Sequence, residues 1–379
     1  MRQKFSLHRI YSYAIYKYGK SIEFLGNFFS NAFKIIFFDV ALLFLRVHAN
    51  SAVKKLELKN IKFYILVLRN KSYSKSSSQK SNEYYQLDNT IEQSGFGKPL
   101  PIIYQSFWIS PLCDVQFYFK CIRLLPDFVV LSSWGSNSNH PDPKTIQLLN
   151  EKFGIRFAAI WWDTCSRNFE QLAKQYTEVV NSNVVIDNPR LLHIDRVSRF
   201  LSMWAPQDDS LFKPAHIKDI DVSFMGQIDD YRSYRANSIK YLRKSGINGF
   251  FSTEDRSAQV SHEDYASVMG RSKMVINFSQ SVDGHQSKGR VMEAIRSGAL
   301  LLESENNQTS ELFIPGKHYI SFSDEHDLLE KVQYYLIHED KRAKIARAAR
   351  SYLIKNYSNN QFWSKVIDSC ASSRVDTTH

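Results

Sequence analysis

The chain reads as an α/β protein of two doubly wound domains facing each other across a cleft, and three observations predict this. Short apolar runs rich in Val, Ile and Phe alternate with amphipathic stretches of helical period from residue 101 onward. One polar, proline-containing interruption, QDDSLFKPAHIKD at 207–219, divides that alternation into two series. A length of 379 residues, 43% of them hydrophobic, suffices for two sizeable cores.

Taken in order, KNIKFYILVLRN (59–70) predicts a strand and the Ser/Lys-rich stretch at 71–83 a loop. Strands follow at 101–108 and 127–134, a helix at 143–153 after a Pro-Asp-Pro turn, and a strand at 155–162 that runs into Asp163. A helix near 168–180 and strands at 183–187 and 199–205 complete a first domain spanning 59–206. The linker is set at 207–218, and a second domain at 219–355. It holds strands at 221–226, 248–253, 273–279 and 299–303, and helices at 231–244, 262–270, 288–297, 325–337 and 340–355. Residues 356–379 are expected to form a helix and tail returning to the first domain. Such alternation implies parallel sheets with helices on both faces, and ligands beyond the carboxyl ends of the strands.

Charge is concentrated at one end. Residues 1–80 carry 15 Lys and Arg against three acids, a local net of +12, so the rest of the +11 chain is close to neutral. The cations interleave with apolar runs such as NAFKIIFFDVALLFLRVH (31–48), where Lys34 and Asp39 break any spanning stretch of about 20 residues. Asp39 and the late apolar run also argue against a signal peptide. Two readings stay open for this 1–58 extension: a basic amphipathic segment on an anionic membrane surface, or helices packed on the first domain. Nucleic acid is not expected, because long aliphatic runs suit lipid or core better than bases. Cys113, Cys121, Cys165 and Cys370 show neither metal-ligand spacing nor a disulfide framework, which points to a reducing, cytoplasmic setting, peripheral on the inner membrane face if the basic segment binds lipid.

The most informative stretch is GHQSKGRVMEAIRSGALLLES, 284–304. It predicts a polar loop, a short helix opening at Ser287, a stop at Gly298 and a buried strand. Val291, Ala294 and Ile295 share one helical stripe, while Arg290 and Glu293 lie about a turn apart on the opposite face. Ser287 is placed to cap the helix, whose free amides and dipole favour anions. Lys288 sits in a first turn where the dipole disfavours a cation unless an anion compensates. Cations, a carboxylate and unpaired amides together suit a ligand bearing both phosphate and ribose hydroxyls, with Glu293 facing an open groove. Gly226 closes the first strand of the second domain, where a missing side chain lets backbone amides approach a phosphate. Asp208-Asp209 and Asp229-Asp230 read as solvated turn acids, and no metal site is expected. Trp134, Trp161 and Trp162 suit either core packing or stacking on a sugar ring, and His140 reads as a loop histidine.

At these residues the sequence resembles the nucleotide-sugar-binding core of group-1-like GT-B glycosyltransferases, specifically the CgeB-like subset. The carrying pattern is Arg290, Glu293-Ala294, Ser297-Gly298 and the apolar Ala299–Leu302, and it continues through 311–358. More loosely it includes DVSFMG (221–226) and IWWD (160–163). The resemblance implies two Rossmann-like domains and a metal-independent transfer of sugar, with retention, from a nucleotide sugar to a glycan or lipid-linked glycan. No bound cofactor is expected. It implies that Glu293 holds the donor ribose, with Gly226, Arg235, Lys288, Arg290 and Glu311 around the donor; Arg232 is the alternative to Arg235. Asp163 and His285 are the catalytic candidates. His285 stands where many relatives carry a second glutamate, so the sugar contact made by that glutamate has no counterpart of the same type. The alternative reading is a non-catalytic scaffold of this fold that binds a ligand or a membrane.

Overall fold

The computed structural model describes residues 43, 65–70, 84–97, 99–104, 110–133, 141–162, 168–186, 200–226, 228, 233–252, 260–281 and 284–372. The 1–58 extension apart from Leu43, and Trp134, His140, Asp163, Asp229, Asp230 and Arg232, lie outside the described residues. Chain contacts divide the molecule into two compact units. The smaller draws on 1–61, 104–125 and 138–154, the larger on 62–103, 126–137 and 155–379.

The first series gives β1 (Ile65–Asn70), a π-helical turn (Tyr84–Asp88) running into α1 (Asn89–Gln93), β2 (Leu100–Tyr104), α2 (Ser110–Leu124) and β3 (Phe128–Ser133). It continues with α3 (Pro143–Phe153), β4 (Arg156–Trp161), α4 (Asn168–Thr177), β5 (Ser182–Val185) and β6 (Phe200–Ser202). These strands form one sheet in the order β2-β1-β3-β4-β5-β6, and the pairs from β1 to β6 are parallel. In the smaller unit, α3 starts as its sequence dictates: Asp142 accepts from the Lys144 amide at 2.8 Å with Pro143 following. The turn with α1 and the helix α2 were not expected from the sequence. YYQLDNTIEQ carries little apolar periodicity, and its hold is tertiary: Leu87 and Ile91 are fully buried.

The second series gives β7 (Ile220–Phe224), α5 (Ser233–Lys244), β8 (Gly249–Phe251), α6 (His262–Arg271), β9 (Ser272–Asn277), and the short hairpin β10 (Gln280–Ser281) and β11 (Gly284–His285). Then come α7 (Gly289–Arg296), β12 (Leu300–Ser304), α8 (Asn307–Leu312), β13 (Ile320–Phe322), α9 (Glu325–Ile337), α10 (Glu339–Asn356) and α11 (Asn359–Ser372). This sheet is ordered β13-β12-β9-β7-β8, with every pair parallel. Strand β12 shows why its sequence is apolar without alternation. Leu301 packs with Val291, Ala294 and Ile295, whereas Leu300 and Leu302 pack with Val222, Ile239, Leu328 and Val332. Both faces are covered, so each leucine contributes about 1.5–3 kcal/mol of burial.

Helix α11 lies against elements of the first series. Arg156 donates to the Cys370 carbonyl at 3.1 Å, Trp363 Nε1 to Thr90 Oγ1 at 2.9 Å, and Asn359 Nδ2 to the Gln207 carbonyl at 2.8 Å. Of the two acids expected to be solvated at 208–209, Asp209 is exposed and Asp208 is not. Asp208 is buried and accepts from Asn89, Gln93 and the Ser210 amide and hydroxyl, and Asp209 pairs with the buried Arg296. Among the described residues no helix is long and apolar enough to cross a membrane.

Candidate functional site

The carboxyl ends of β7, β9 and β12 meet the start of α7, and the side chains there form one connected group. Helix α7 begins at Gly289, one residue later than expected, with Lys288 at its N-cap. Ser287 is therefore too early in the chain to cap it, and Lys288 has no acceptor to offer, so no side chain caps the helix. Its end is as expected: Ser297 closes the last turn and Gly298 takes φ +68°, the left-handed conformation that glycine adopts without strain. Val291, Ala294 and Ile295 are buried, as expected for the apolar stripe, and Met292 is buried with them.

Arg290 does not pair with Glu293 as a surface i,i+3 couple would. Its Nη1 donates to Asn277 Oδ1 at 2.7 Å, and its guanidinium lies 5.2 Å from the centroid of the Phe224 ring. Arg235, buried on α5, lies over the same ring at 5.5 Å and over Phe278 at 5.7 Å. Two guanidinium groups thus converge on one aromatic side chain at the end of β7. Asn277 passes the contact on, donating to Glu303 Oε2 at 2.8 Å, and Asn306 donates to Glu303 Oε1 at 3.2 Å. Glu303 is fully buried, and that burial pushes its carboxyl up to about 7 against the opposing bonds from Asn277 and Ser279.

Glu293 is 9% exposed rather than open to a groove. Its Oε2 accepts from Tyr265 on α6 at 2.6 Å. Burial raises the Glu293 pKa, while the Tyr265 bond and the nearby Arg290 charge oppose the rise. Burial, with Glu293 beside it, raises the Tyr265 hydroxyl as well, so Tyr265 stays a phenol and donates to Glu293. The other oxygen, Oε1, is 3.6 Å from the point where a Cβ on Gly289 would stand.

Gly226 serves a purpose other than the one its position suggests. Its amide donates to Ser252 Oγ at 3.0 Å, and its carbonyl accepts from the same hydroxyl. What the missing side chain provides is room: a Cβ there would stand 2.8 Å from Arg290 Nη2. Glu311 does not open α8. Asn306 caps that helix through the Thr309 amide at 2.7 Å, which leaves Glu311 exposed on its last turn. His285 is half-buried on the hairpin, opposite Gln280 and three residues before Lys288. Trp161 and Trp162 are buried and donate to Asn183 and Ser132, at 3.1 Å each. Asp163 lies outside the described residues.

The structure therefore brings together Gly226, Arg235, Arg290 and Glu293 and adds Asn277, Tyr265 and Glu303, which the sequence did not single out. Two of these left a trace. Asn277 and Glu303 each follow directly on an apolar run, MVI and LLL, as a polar residue near the strand's end. Tyr265 left none.

The arrangement is the GT-B glycosyltransferase fold. The chain superposes on the Anabaena protein HepE in complex with UDP-glucose with a TM-score of 0.58 at 10% identity, covering 82% of this chain and 100% of that one. A glycosyltransferase from Rickettsia africae matches at TM-score 0.56 and 12% identity, and sucrose-phosphate synthase from Thermosynechococcus elongatus at 0.55 and 11%. Each covers 82% of this chain and 100% of its own. Residues 210–368 match the family model described as glycosyl transferase-like. Together these likenesses show the GT-B fold, with a glycosyl transferase-like segment at 210–368. No curated protein matches the chain.

Proposed function

We propose that the protein transfers a sugar from a nucleotide-sugar donor to an acceptor, a glycan or lipid-linked glycan, without a metal and with retention, and that it is CgeB-like. The observation that carries the reading is the convergence of Arg290 and Arg235 on Phe224 at the strand ends, with the Glu293 carboxylate on the same helix mouth. In this reading the uncapped amides of α7 and the guanidinium groups take the diphosphate, and Glu293 Oε1 takes ribose hydroxyls. Lys288, at the N-cap, adds a further cation. Such preorganised positive charge stabilises the departing nucleoside diphosphate, a contribution on the order of several kcal/mol. Solved structures of similar fold carry UDP and UDP-glucose, which makes uridine diphosphate the first donor to try. The setting proposed is cytoplasmic, with residues 1–58 on the inner face of the membrane. His285, standing where relatives carry a glutamate, favours a non-catalytic ligand-binding scaffold as the second reading.

Thermal-shift titration with UDP, GDP, CMP and their sugars tests the proposal. The right nucleotide at a hundredfold excess over Kd stabilises the fold by about 2.7 kcal/mol. Glu293→Ala is expected to abolish that shift while the variant stays folded. If every nucleotide leaves the melting curve unmoved, the transferase reading fails. Binding without turnover of any sugar nucleotide selects the scaffold.

A further inference from the structure

Gln207 is the first residue of the segment expected to be a linker, and nothing in the sequence marks it as part of a site. In the structure it is 2% exposed, and its main chain is locked: the amide donates to Asn359 Oδ1 at 3.3 Å and the carbonyl accepts from Asn359 Nδ2 at 2.8 Å. Its side-chain Nε2, by contrast, is buried without a hydrogen-bond partner. A buried amide donor left unpaired costs about 1–3 kcal/mol, so an unpaired one calls for a ligand or another explanation.

The position of that nitrogen supplies one. A Cβ built on Gly289 would stand 3.5 Å from Gln207 Nε2 and 3.6 Å from Glu293 Oε1. The point at the start of α7 where a Cβ on residue 289 would stand is thus flanked by an amide donor and a carboxylate acceptor. The two are not bonded to each other. Chemistry narrows what bridges them. A carbonyl or phosphate oxygen accepts from the amide but is repelled by the carboxylate, and an ammonium satisfies the carboxylate but not the amide. A hydroxyl does both, accepting from Nε2 while donating to Oε1.

Resting on the donor-site reading above, we propose that Gln207 is a specificity-determining residue: with Glu293 it clasps one ribose hydroxyl of the nucleotide, over Gly289. The pair selects ribonucleotides over deoxyribonucleotides, since a ligand lacking the hydroxyl leaves both buried groups unmatched. Because the main-chain bonds to Asn359 do not involve the side chain, Gln207→Leu keeps them and removes the side-chain amide, donor and acceptor together.

The test takes whichever of UDP, GDP, ADP and CDP binds the full-length protein, with its 2′-deoxy and 3′-deoxy counterparts, and measures affinities for wild type and Gln207→Leu by calorimetry. The wild type is expected to favour the ribonucleotide over one of the two deoxy forms. The variant should bind the ribonucleotide about threefold to tenfold more weakly, the worth of one hydrogen bond, and that deoxy form unchanged. Its ligand-free melting temperature should rise, because an unpaired buried donor has gone. An unchanged ribo-to-deoxy ratio in a folded variant overturns the role of Gln207 and leaves the donor site standing. Failure of every nucleotide to bind the wild type overturns both.

Discussion

The guanidinium of Arg290 occupies the space beside Gly226, so that a Cβ at 226 would lie 2.8 Å from Nη2 and 2.8 Å from the Phe224 ring. Strand end and helix start are thereby fitted to each other through one absent side chain. Gly226→Ala is expected to push Arg290 off Phe224, at an overpacking cost of about 1–3 kcal/mol. Nucleotide affinity should fall tenfold or more, because the cation moves away from the diphosphate. Calorimetric titration of a variant shown to be folded checks this, and wild-type affinity would remove Arg290 from the site.

Tyr265 holds Glu293 Oε2 at 2.6 Å, and that bond favours the ionised carboxyl against its burial. Tyr265→Phe keeps the ring and leaves a buried acceptor unpaired, at about 1–3 kcal/mol. With the bond gone the Glu293 pKa rises further, so the acid limb of nucleotide binding should move to higher pH. A pH series of dissociation constants for both proteins would show the displacement. Coincident acid limbs would mean that Glu293 does not need its charge to bind the donor.

Glu303 links pH to stability. Its carboxyl has an ordinary value of 4.5 and stands at about 7 in the fold, chiefly through burial. The raised value means that the stabilisation is fully present below pH 4.5 and is lost as pH climbs through 7, a swing on the order of 3 kcal/mol. Glu303→Gln cannot ionise, so the difference in melting temperature between variant and wild type should grow in the variant's favour from pH 4.5 to 8. Parallel melting curves across that range would contradict the buried, proton-binding state.

Asp208 responds with the opposite sign. Burial alone would raise its pKa, but hydrogen bonds from Asn89, Ser210 and Gln93 hold it below the usual carboxylate range. Its stabilisation is present above its unfolded value of 3.8 and is lost as pH falls through the lower folded value. Asp208→Ala strands several donors at once and should cost about 3 kcal/mol at neutral pH. Urea unfolding at pH 7 gives the number, and a loss under about 0.5 kcal/mol, as at an ordinary surface site, would be inconsistent with this network.

The sequence by itself determined the α/β alternation, the apolar core strand β12, the stop of α7 at Gly298 and the cluster Arg290–Glu293. Each of these is written in local terms, as a period, a cap or a run, and a run such as LLL needs only two covered faces. What the tertiary structure decided is which atoms meet. Asn277, 13 residues before Arg290, takes its guanidinium. Tyr265, 28 residues before Glu293, takes its carboxylate. Gln207 and Gly289 lie farther apart still, and their closeness follows from how the chain crosses between parallel strands. Parallel sheets join residues through long connections, so the contacts at their carboxyl ends have no fixed spacing along the chain. A pattern reader sees the charged residues there, whereas only the folded strands say what each one holds.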